Sequence, residues 1–322
     1  MKKIIPILIL MLLLCGCSVN ADYIEPEDRV IVSAIGFQNR DNDILLTLET
    51  IDVSTTSNED SYSTLLITGN GKSAYEAFTD AESKAYGEVL FSQCPVILLG
   101  TDINPEQLNS ILDYCVDSEN ISLAVKILAS DNPFSVLSEN TSKKALGHQI
   151  MNMIEYGNEV SGITKYDTFV TITNVRKNDR YAYRIPLLTS SEGLNISGAA
   201  VYLNDSLNFI ADITEAQLMQ MVCSKLKNST IIYQNSVLNV KCTQADFKTE
   251  NERVQILVRI TVEKSKETKN LAEVQSMLNN KINGFLNMHF DVSAQFLKQN
   301  YRKLSSYYFS AIDTEIKIIE EK

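Results

Sequence analysis

CPVILLGTDINPEQLNSILDYC, residues 94–115, changes its hydrophobic period halfway along, and that change sets the fold class. Val96 to Gly100 is a short continuous apolar run, the pattern of a strand buried on both faces. Asn104-Pro105-Glu106-Gln107 then supplies a capping side chain, a proline at the first helical position and a glutamine placed to close a capping box. Leu108, Ile111, Leu112 and Cys115 follow at i, i+3, i+4 and i+7, one face of a helix. A buried strand therefore runs directly into an amphipathic helix.

Working upstream, Arg29–Gly36 (RVIVSAIG) reads as a buried strand and Ile44–Val53 as a second, with Arg40-Asp41-Asn42-Asp43 as the turn between them. Ser63–Thr68 is a third strand, and Ser73–Tyr86 is a helix stopped by Gly87. Downstream, Leu123–Ala129 reads as a strand and Leu146–Ile154 lies in another amphipathic helix. From Thr168 strands dominate: Thr168–Val175, Tyr181–Leu188, then Gly198–Leu203 and Ser206–Ile210 around an Asn204-Asp205 hairpin turn. Thr214 with Gln217 makes a capping box for a helix over Glu215–Leu226. Strands over Ile231–Lys241 and Val254–Glu263, a long helix from Leu271 to about Leu297, and a strand over Ile312–Ile319 complete the order. Helices and strands are mixed without strict βαβ alternation. That predicts a multi-domain α+β fold with mixed, largely antiparallel sheets flanked by helices. The loop-like Ser190-Ser191-Glu192-Gly193 divides an N-terminal α+β region, 29–190, from a C-terminal α+β domain, 195–322.

The chain opens MKKIIPILILMLLLCGCS. Lys2 and Lys3 form a positive n-region, and Ile4 to Leu14 an apolar run of 11 residues broken only by Pro6. That length suits a signal peptide and falls short of the roughly 20 residues that span a bilayer. Leu14-Cys15-Gly16-Cys17 resembles the bacterial lipobox, in which a Leu and two small residues precede the cysteine that takes the lipid. Residues 1–16 are accordingly expected to be a lipoprotein signal peptide and 17–28 a tether, with Cys17 as the N-palmitoyl, S-diacylglycerol cysteine. Several acyl chains on one residue anchor firmly, because each buried CH₂ contributes about 0.8 kcal/mol. The anchor is needed: the full chain carries 29 Lys and Arg against 40 Asp and Glu, net −11. Removal of Lys2 and Lys3 makes that 27 against 40, or −13. An acidic surface of this size repels phosphate backbones and anionic lipid headgroups, so nucleic acid is disfavoured as a partner and attachment is expected to come from something other than a basic patch.

The search for chemistry is negative. Gly69-Asn70-Gly71-Lys72-Ser73 resembles the end of a phosphate-binding loop, but Leu66 stands where its first glycine belongs, so Gly71 and Ser73 fit better as turn and cap. The two histidines, His148 and His289, have no second ligand at metal-binding spacing, and His289 falls on the apolar stripe with Leu278, Ile282, Phe285 and Val292. Asp41-Asn42-Asp43 lacks the glycine and closing glutamate of a calcium loop. Cys94, Cys115, Cys223 and Cys242 form no C-x-x-C pair; buried free thiols are expected, with a disulfide as the open alternative. No catalytic, cofactor or metal residue is assigned, which favours a binding or assembly role over catalysis. A membrane-anchored solute-binding lipoprotein is the alternative reading.

The ordered motifs resemble the Ger(x)C family, the C-subunit lipoproteins of spore germinant receptors. Besides the lipobox they comprise Val32-Ser33-Ala34-Ile35-Gly36, Gly71-Lys72-Ser73 through Glu76-Ala77, Leu90-Phe91-Ser92 through Gly100, and Gly198-Ala199-Ala200-Val201-Tyr202 with Asn204-Asp205-Ser206-Leu207. The chain departs from the family pattern in having Ser18 after the lipobox cysteine, Asn208-Phe209-Ile210 in place of Gly-Trp-Leu, and no Trp at all. The resemblance implies three mixed α/β domains, so that 29–190 comprises two subdomains. It also implies a non-enzymatic subunit on the outer face of the spore inner membrane, acting with integral membrane A- and B-type receptor subunits to trigger germination.

Overall fold

The computed structural model describes residues 29–52, 63–118, 120–139, 145–161, 169–190, 193–223, 226–233, 236–263 and 271–320. The expected signal peptide, Cys17 and the tether lie outside them. Within them the chain is α+β, with two sheets flanked by helices.

The larger sheet contains β1 (Arg29–Arg40), β2 (Asp43–Asp52), β3 (Ser63–Gly71), β4 (Glu88–Leu90), β5 (Val96–Gly100), β6 (Lys126–Ser130), β7 (Ala182–Thr189), β8 (Asn195–Leu203) and β9 (Ser206–Asp212). Its order is β3-β2-β1-β5-β6-β7-β8-β9, with β4 paired to β1. Hairpins make the flanks antiparallel, whereas β1, β5, β6 and β7 run parallel because helices connect them. The central strands are apolar throughout because both faces are covered. Ile35, Ile97, Leu99, Ile127 and Ile185 point to one side, where they meet α1 (Ala74–Glu82), α2 (Pro105–Asp117) and α5 (Phe169–Val175). Ala34, Val96, Leu98, Leu128 and Leu188 point to the other, onto α3 (Pro133–Ser138) and α4 (Leu146–Ser161). The Asn104–Gln107 capping box and the buried face Leu108, Ile111, Leu112 and Cys115 occur as the spacing predicts.

The smaller sheet is β10 (Lys227–Tyr233), β11 (Ser236–Glu250), β12 (Arg253–Val262) and β13 (Ala311–Glu320), in that order. Between the sheets lies α6 (Ile213–Val222), whose residues 216–222 are all buried. The second core also takes Ala182, Ala199, Val201 and Ala211 from the larger sheet, while Tyr183, Ile185, Ala200 and Tyr202 on the same strands face the first core. The strands on either side of the boundary expected at Ser190–Gly193, β7 and β8, pair in one sheet, and their two faces serve different cores.

Four local expectations change. Thr168–Val175 was expected as a strand, but Phe169–Val175 is helical; Phe169 and Ile172, three residues apart, are its buried residues, so burial overrides the β-branched composition. The cap of α6 is Asp212 with Glu215, two residues before Thr214 and Gln217. Asp212 Oδ1 accepts from Glu215 N at 2.8 Å, and Gln217 is buried, donating to Thr230 O at 2.9 Å. The apolar run Ile231–Lys241 is divided between β10 and β11, which pair antiparallel from Tyr233↔Ser236. The long helix from Leu271 is two helices, α7 (Leu271–Met288) and α8 (Phe290–Asn300), because His289 leaves the helical region at φ −107°, ψ 44°.

α7 also solves the edge problem of the smaller sheet. Its Gln275, Asn279, Asn283 and Asn287 recur every four residues and accept from the backbone N–H groups of Ile318, Ile316, Thr314 and Ile312 in turn along β13. Asn279 takes Ile316 at 3.0 Å, Asn283 takes Thr314 at 2.6 Å, Gln275 takes Ile318 at 3.0 Å and Asn287 takes Ile312 at 3.5 Å. Asn283 and Asn287 donate in return to the carbonyls of Thr314 and Ile312. One helical step of four residues rises about 6 Å and two strand residues about 6.6 Å, so the two ladders stay in register. An otherwise open strand edge is closed by side-chain amides.

Candidate functional site

The residues singled out by spacing are explained by packing. Ser33 is the extra residue of a bulge in β1, and its hydroxyl donates to Glu49, a carboxylate with no exposed surface. Glu49 also accepts from the first amides of α4, at 2.8 Å from Leu146 N and 3.2 Å from Gly147 N. A side chain from the sheet thus caps a helix whose own sequence carries no capping signal. A Cβ on Gly147 would stand 1.7 Å from Ser33 O, so only glycine allows α4 so close to the bulge. Gly36 meets Pro133 and Leu137 of α3 in the same way, with its absent Cβ 2.9 Å from Leu137 Cδ1. The V-S-A-I-G run is therefore the contact line of β1 with two helices.

In the Gly69–Ser73 turn the space beside each glycine is filled by α1 itself. An added Cβ would lie 2.0 Å from Ala77 O at Gly69 and 2.5 Å from Ala77 N at Gly71. Ser73 Oγ accepts from Glu76 N at 3.2 Å, and Glu76 Oε2 accepts from Lys72 N at 2.8 Å. Turn and cap, as read from the spacing, account for every residue of the motif. The outer groups of β3 are met by the same helix and the turn after it: Asp80 accepts from Asn70 N at 2.8 Å and Lys84 donates to Thr68 O at 2.9 Å.

Sequence reasoning missed a polar hub at the β8–β9 turn. Asn204 and Asp205 adopt φ of +47° and +63°, the hairpin geometry expected of that pair. Asp205 is only 3% exposed, and its carboxylate accepts from Tyr181 at 2.6 Å, Tyr183 at 2.9 Å and Arg176 Nε at 3.0 Å. Burial, and then the neighbouring carboxylate, push the Tyr183 hydroxyl well above its ordinary range, so it stays a donor. Arg176 extends from the end of α5 to Asn109 on α2 as well. The hub ties two helices to the turn, and stacked Tyr181, Tyr183 and Tyr202 carry it along the sheet. An Asp in an N-D turn normally points to solvent, so spacing alone carried no signal for this role.

Asp41 and Asn42, with φ of +56° and +71°, form a tight turn, and Gln107 donates to Asn42 O at 3.2 Å. His148 is exposed. His289 stacks on Phe209 with ring centroids 3.7 Å apart, a packed histidine as its position on the stripe predicts. Cys94 and Cys115 are buried and Cys223 and Cys242 half-buried, and none of the four is in a disulfide. Burial pushes the Cys94 and Cys115 thiols up to about 12. Among the described residues no three His, Cys, Asp or Glu side chains converge as a metal site, and no helix is long and apolar enough to cross a membrane.

The concave surfaces are shallow or small. A groove of about 660 Å³ lies on the outer face of the smaller sheet, beside the ion pairs Asp246–Arg259 and Arg253–Asp313. A cleft of about 190 Å³ between β7, α6 and α8 is lined by Tyr183, Arg184, Cys223 and Phe296. The polar groups brought together here tie helices and turns to the sheet.

No curated protein matches the chain. Among solved structures it aligns with the crystal structure of the GerBC protein at 14% identity and a TM-score of 0.44, over 88% of this chain and 96% of that one. The family described as the spore germination protein N-terminal domain matches residues 22–190, just over half of the 322 residues. That match takes in V-S-A-I-G, the G-K-S turn and the strand-to-helix passage after Cys94, and the chain belongs to this spore germination family, the Ger(x)C family that its motifs resemble.

Proposed function

We propose that the chain is the non-enzymatic, lipid-anchored subunit of a spore nutrient germinant receptor, acting beside integral membrane A- and B-type subunits to trigger germination. The family match over residues 22–190 is the observation that carries this reading. The lipobox-like Leu14–Cys17 supports attachment through Cys17 to the outer face of the spore inner membrane, with 1–16 removed and 17–28 as tether. The continuous sheet shared by two cores suits an adaptor, because a push on one core reaches the other through β7 and β8. The 29–190 and 195–322 regions then act as one unit, since β8 and β9 of the second join the larger sheet of the first.

Cys17→Ala tests the anchor. In spores the substituted chain leaves the membrane fraction, and the response to at least one nutrient slows. Unchanged germination, with the protein confirmed detached, would remove the anchoring role.

A further inference from the structure

The chain is acidic overall, yet one surface carries a local excess of positive charge. From Val292 to Ile312 there are 21 residues without an Asp or Glu, in a chain that has 40 in 322. This stretch contributes Lys298, Arg302 and Lys303. The loop before β7 adds Lys177 and Arg180, and the two segments face each other across a concavity of about 540 Å³ lined by Lys177, Arg180, Lys298 and Ser305. Arg180 pairs with Asp291 at 3.4 Å, and Gln295 donates to Arg180 O, so the walls are joined. Asp179 also lines this concavity; Arg302 and Lys303 lie outside its lining, Lys303 on a neighbouring groove with Asp246, Lys248 and Glu250, and all five cations but Lys298 are exposed.

The position of this patch relative to Cys17 follows from register. β1, β5, β6 and β7 are parallel, so their first residues lie at one end of the sheet. Ile35 pairs with Ile97 and Ile97 with Ile127; Ala129 pairs with Leu187, which puts Ile185 at the same level. Arg29 is six residues before Ile35, and Arg180 is five before Ile185. The start of β1 and the basic loop therefore share one end, three strand spacings or about 14 Å apart. Cys17 is twelve residues before Arg29, a reach of at most about 40 Å. A bilayer holding acylated Cys17 lies within reach of the patch.

We infer that this basic surface rests on anionic lipid headgroups and sets the orientation of the protein on its membrane. The inference rests on the proposed anchor at Cys17: the acyl chains supply retention, and Lys177, Arg180, Lys298, Arg302 and Lys303 choose which end faces the phosphates. The segment 18–28 carries Asp22, Glu25, Glu27 and Asp28 and no Lys or Arg, so it is the folded patch and not the tether that offers cations to the phosphates. At physiological salt the attraction acts only within about 8 Å, so the patch engages in contact and not at a distance.

The chain contains no Trp, so a single introduced one reports its own surroundings. Full-length acylated Asn178→Trp, exposed on the rim of the patch, is placed on vesicles of phosphatidylcholine alone and on vesicles that also contain phosphatidylglycerol, each with brominated lipid as quencher. Phe134→Trp, beside Gln38 at the opposite end of the strands, is the reference. The expected result is flotation with both vesicles and severalfold stronger quenching of Asn178→Trp on the anionic ones. That quenching is relieved by high salt and by the added substitutions Lys177→Gln, Arg302→Gln and Lys303→Gln, while Phe134→Trp stays unquenched. Ser305→Trp, on the facing wall, repeats the measurement if Asn178→Trp does not fold. Equal quenching on both vesicles, or equal quenching of the Phe134→Trp reference, overturns the contact while leaving the anchor standing. Failure to float with either vesicle overturns the anchor, and the contact with it.

Discussion

Replacing Asn283 with alanine should destabilise the smaller sheet far more than its half-buried position on α7 suggests. Its amide makes two bonds to a single strand residue, accepting from Thr314 N at 2.6 Å and donating to Thr314 O at 2.7 Å. The Thr314 side chain faces the second core, with the residue 5% exposed. Asn283→Ala leaves one N–H and one C=O without a partner at a closed edge. Each orphaned group costs about 1–3 kcal/mol, of which partial access of water from the edge recovers some. Alanine returns about 0.6 kcal/mol of helix propensity. The net expectation is a loss of about 2–3 kcal/mol. Asn280→Ala, an exposed asparagine three residues earlier on the same helix, gains the propensity and loses nothing, so it should leave stability unchanged or raise it by about half a kcal/mol. Urea unfolding of the two variants gives the difference, and amide hydrogen exchange at Thr314 locates it. Equal midpoints for the two variants, or unaltered exchange at Thr314, would refute the claim that side-chain amides close this edge.

Two further outcomes follow from close packing and from buried thiols. Gly147→Ala places a methyl 1.7 Å from Ser33 O and must push α4 off Glu49, for a loss of at least about 3 kcal/mol; Gly284→Ala, with nothing within 4 Å of the added carbon, should gain about 1 kcal/mol, and matching melting temperatures would contradict the contact. With folded thiols at about 12, against about 9 for free ones, Cys94 and Cys115 hold protons that the unfolded chain has released between those values. Stability should therefore be level below pH 9 and fall as pH rises from about 9 to 12, at up to roughly 1.4 kcal/mol per unit for each thiol. In the native protein a thiol reagent should label Cys223 and Cys242 well before Cys94 and Cys115; simultaneous labelling of all four would contradict the burial.

The elements that were legible are those whose signal is local. The strand and capped helix of residues 94–115 need nothing beyond a change of period, a proline and two reciprocal side-chain bonds, all within a few residues. The Asp41-Asn42 and Asn204-Asp205 turns were legible because these residues tolerate positive φ. Phe169–Val175 was misread because its β-branched composition suits a strand, whereas the helix is fixed by what Phe169 and Ile172 meet in the first core. His289 lies on the apolar stripe of a continuous helix, and only its stacking against Phe209 coincides with the break.

By itself the sequence determined the fold class, the order of most elements and the family, because periodicity, caps and short ordered motifs are properties of neighbouring residues. It also set the net charge, and through the lipobox-like Leu14–Cys17 the expected anchor. Tertiary structure alone decided what the polar residues do. Glu49 caps a helix almost a hundred residues away, Asp205 in an exposed-looking turn is buried under two tyrosines and an arginine, and four amides of α7 close a strand edge. Each depends on pairing between segments distant in sequence, where a one-residue shift of register would turn the side chain to the opposite face.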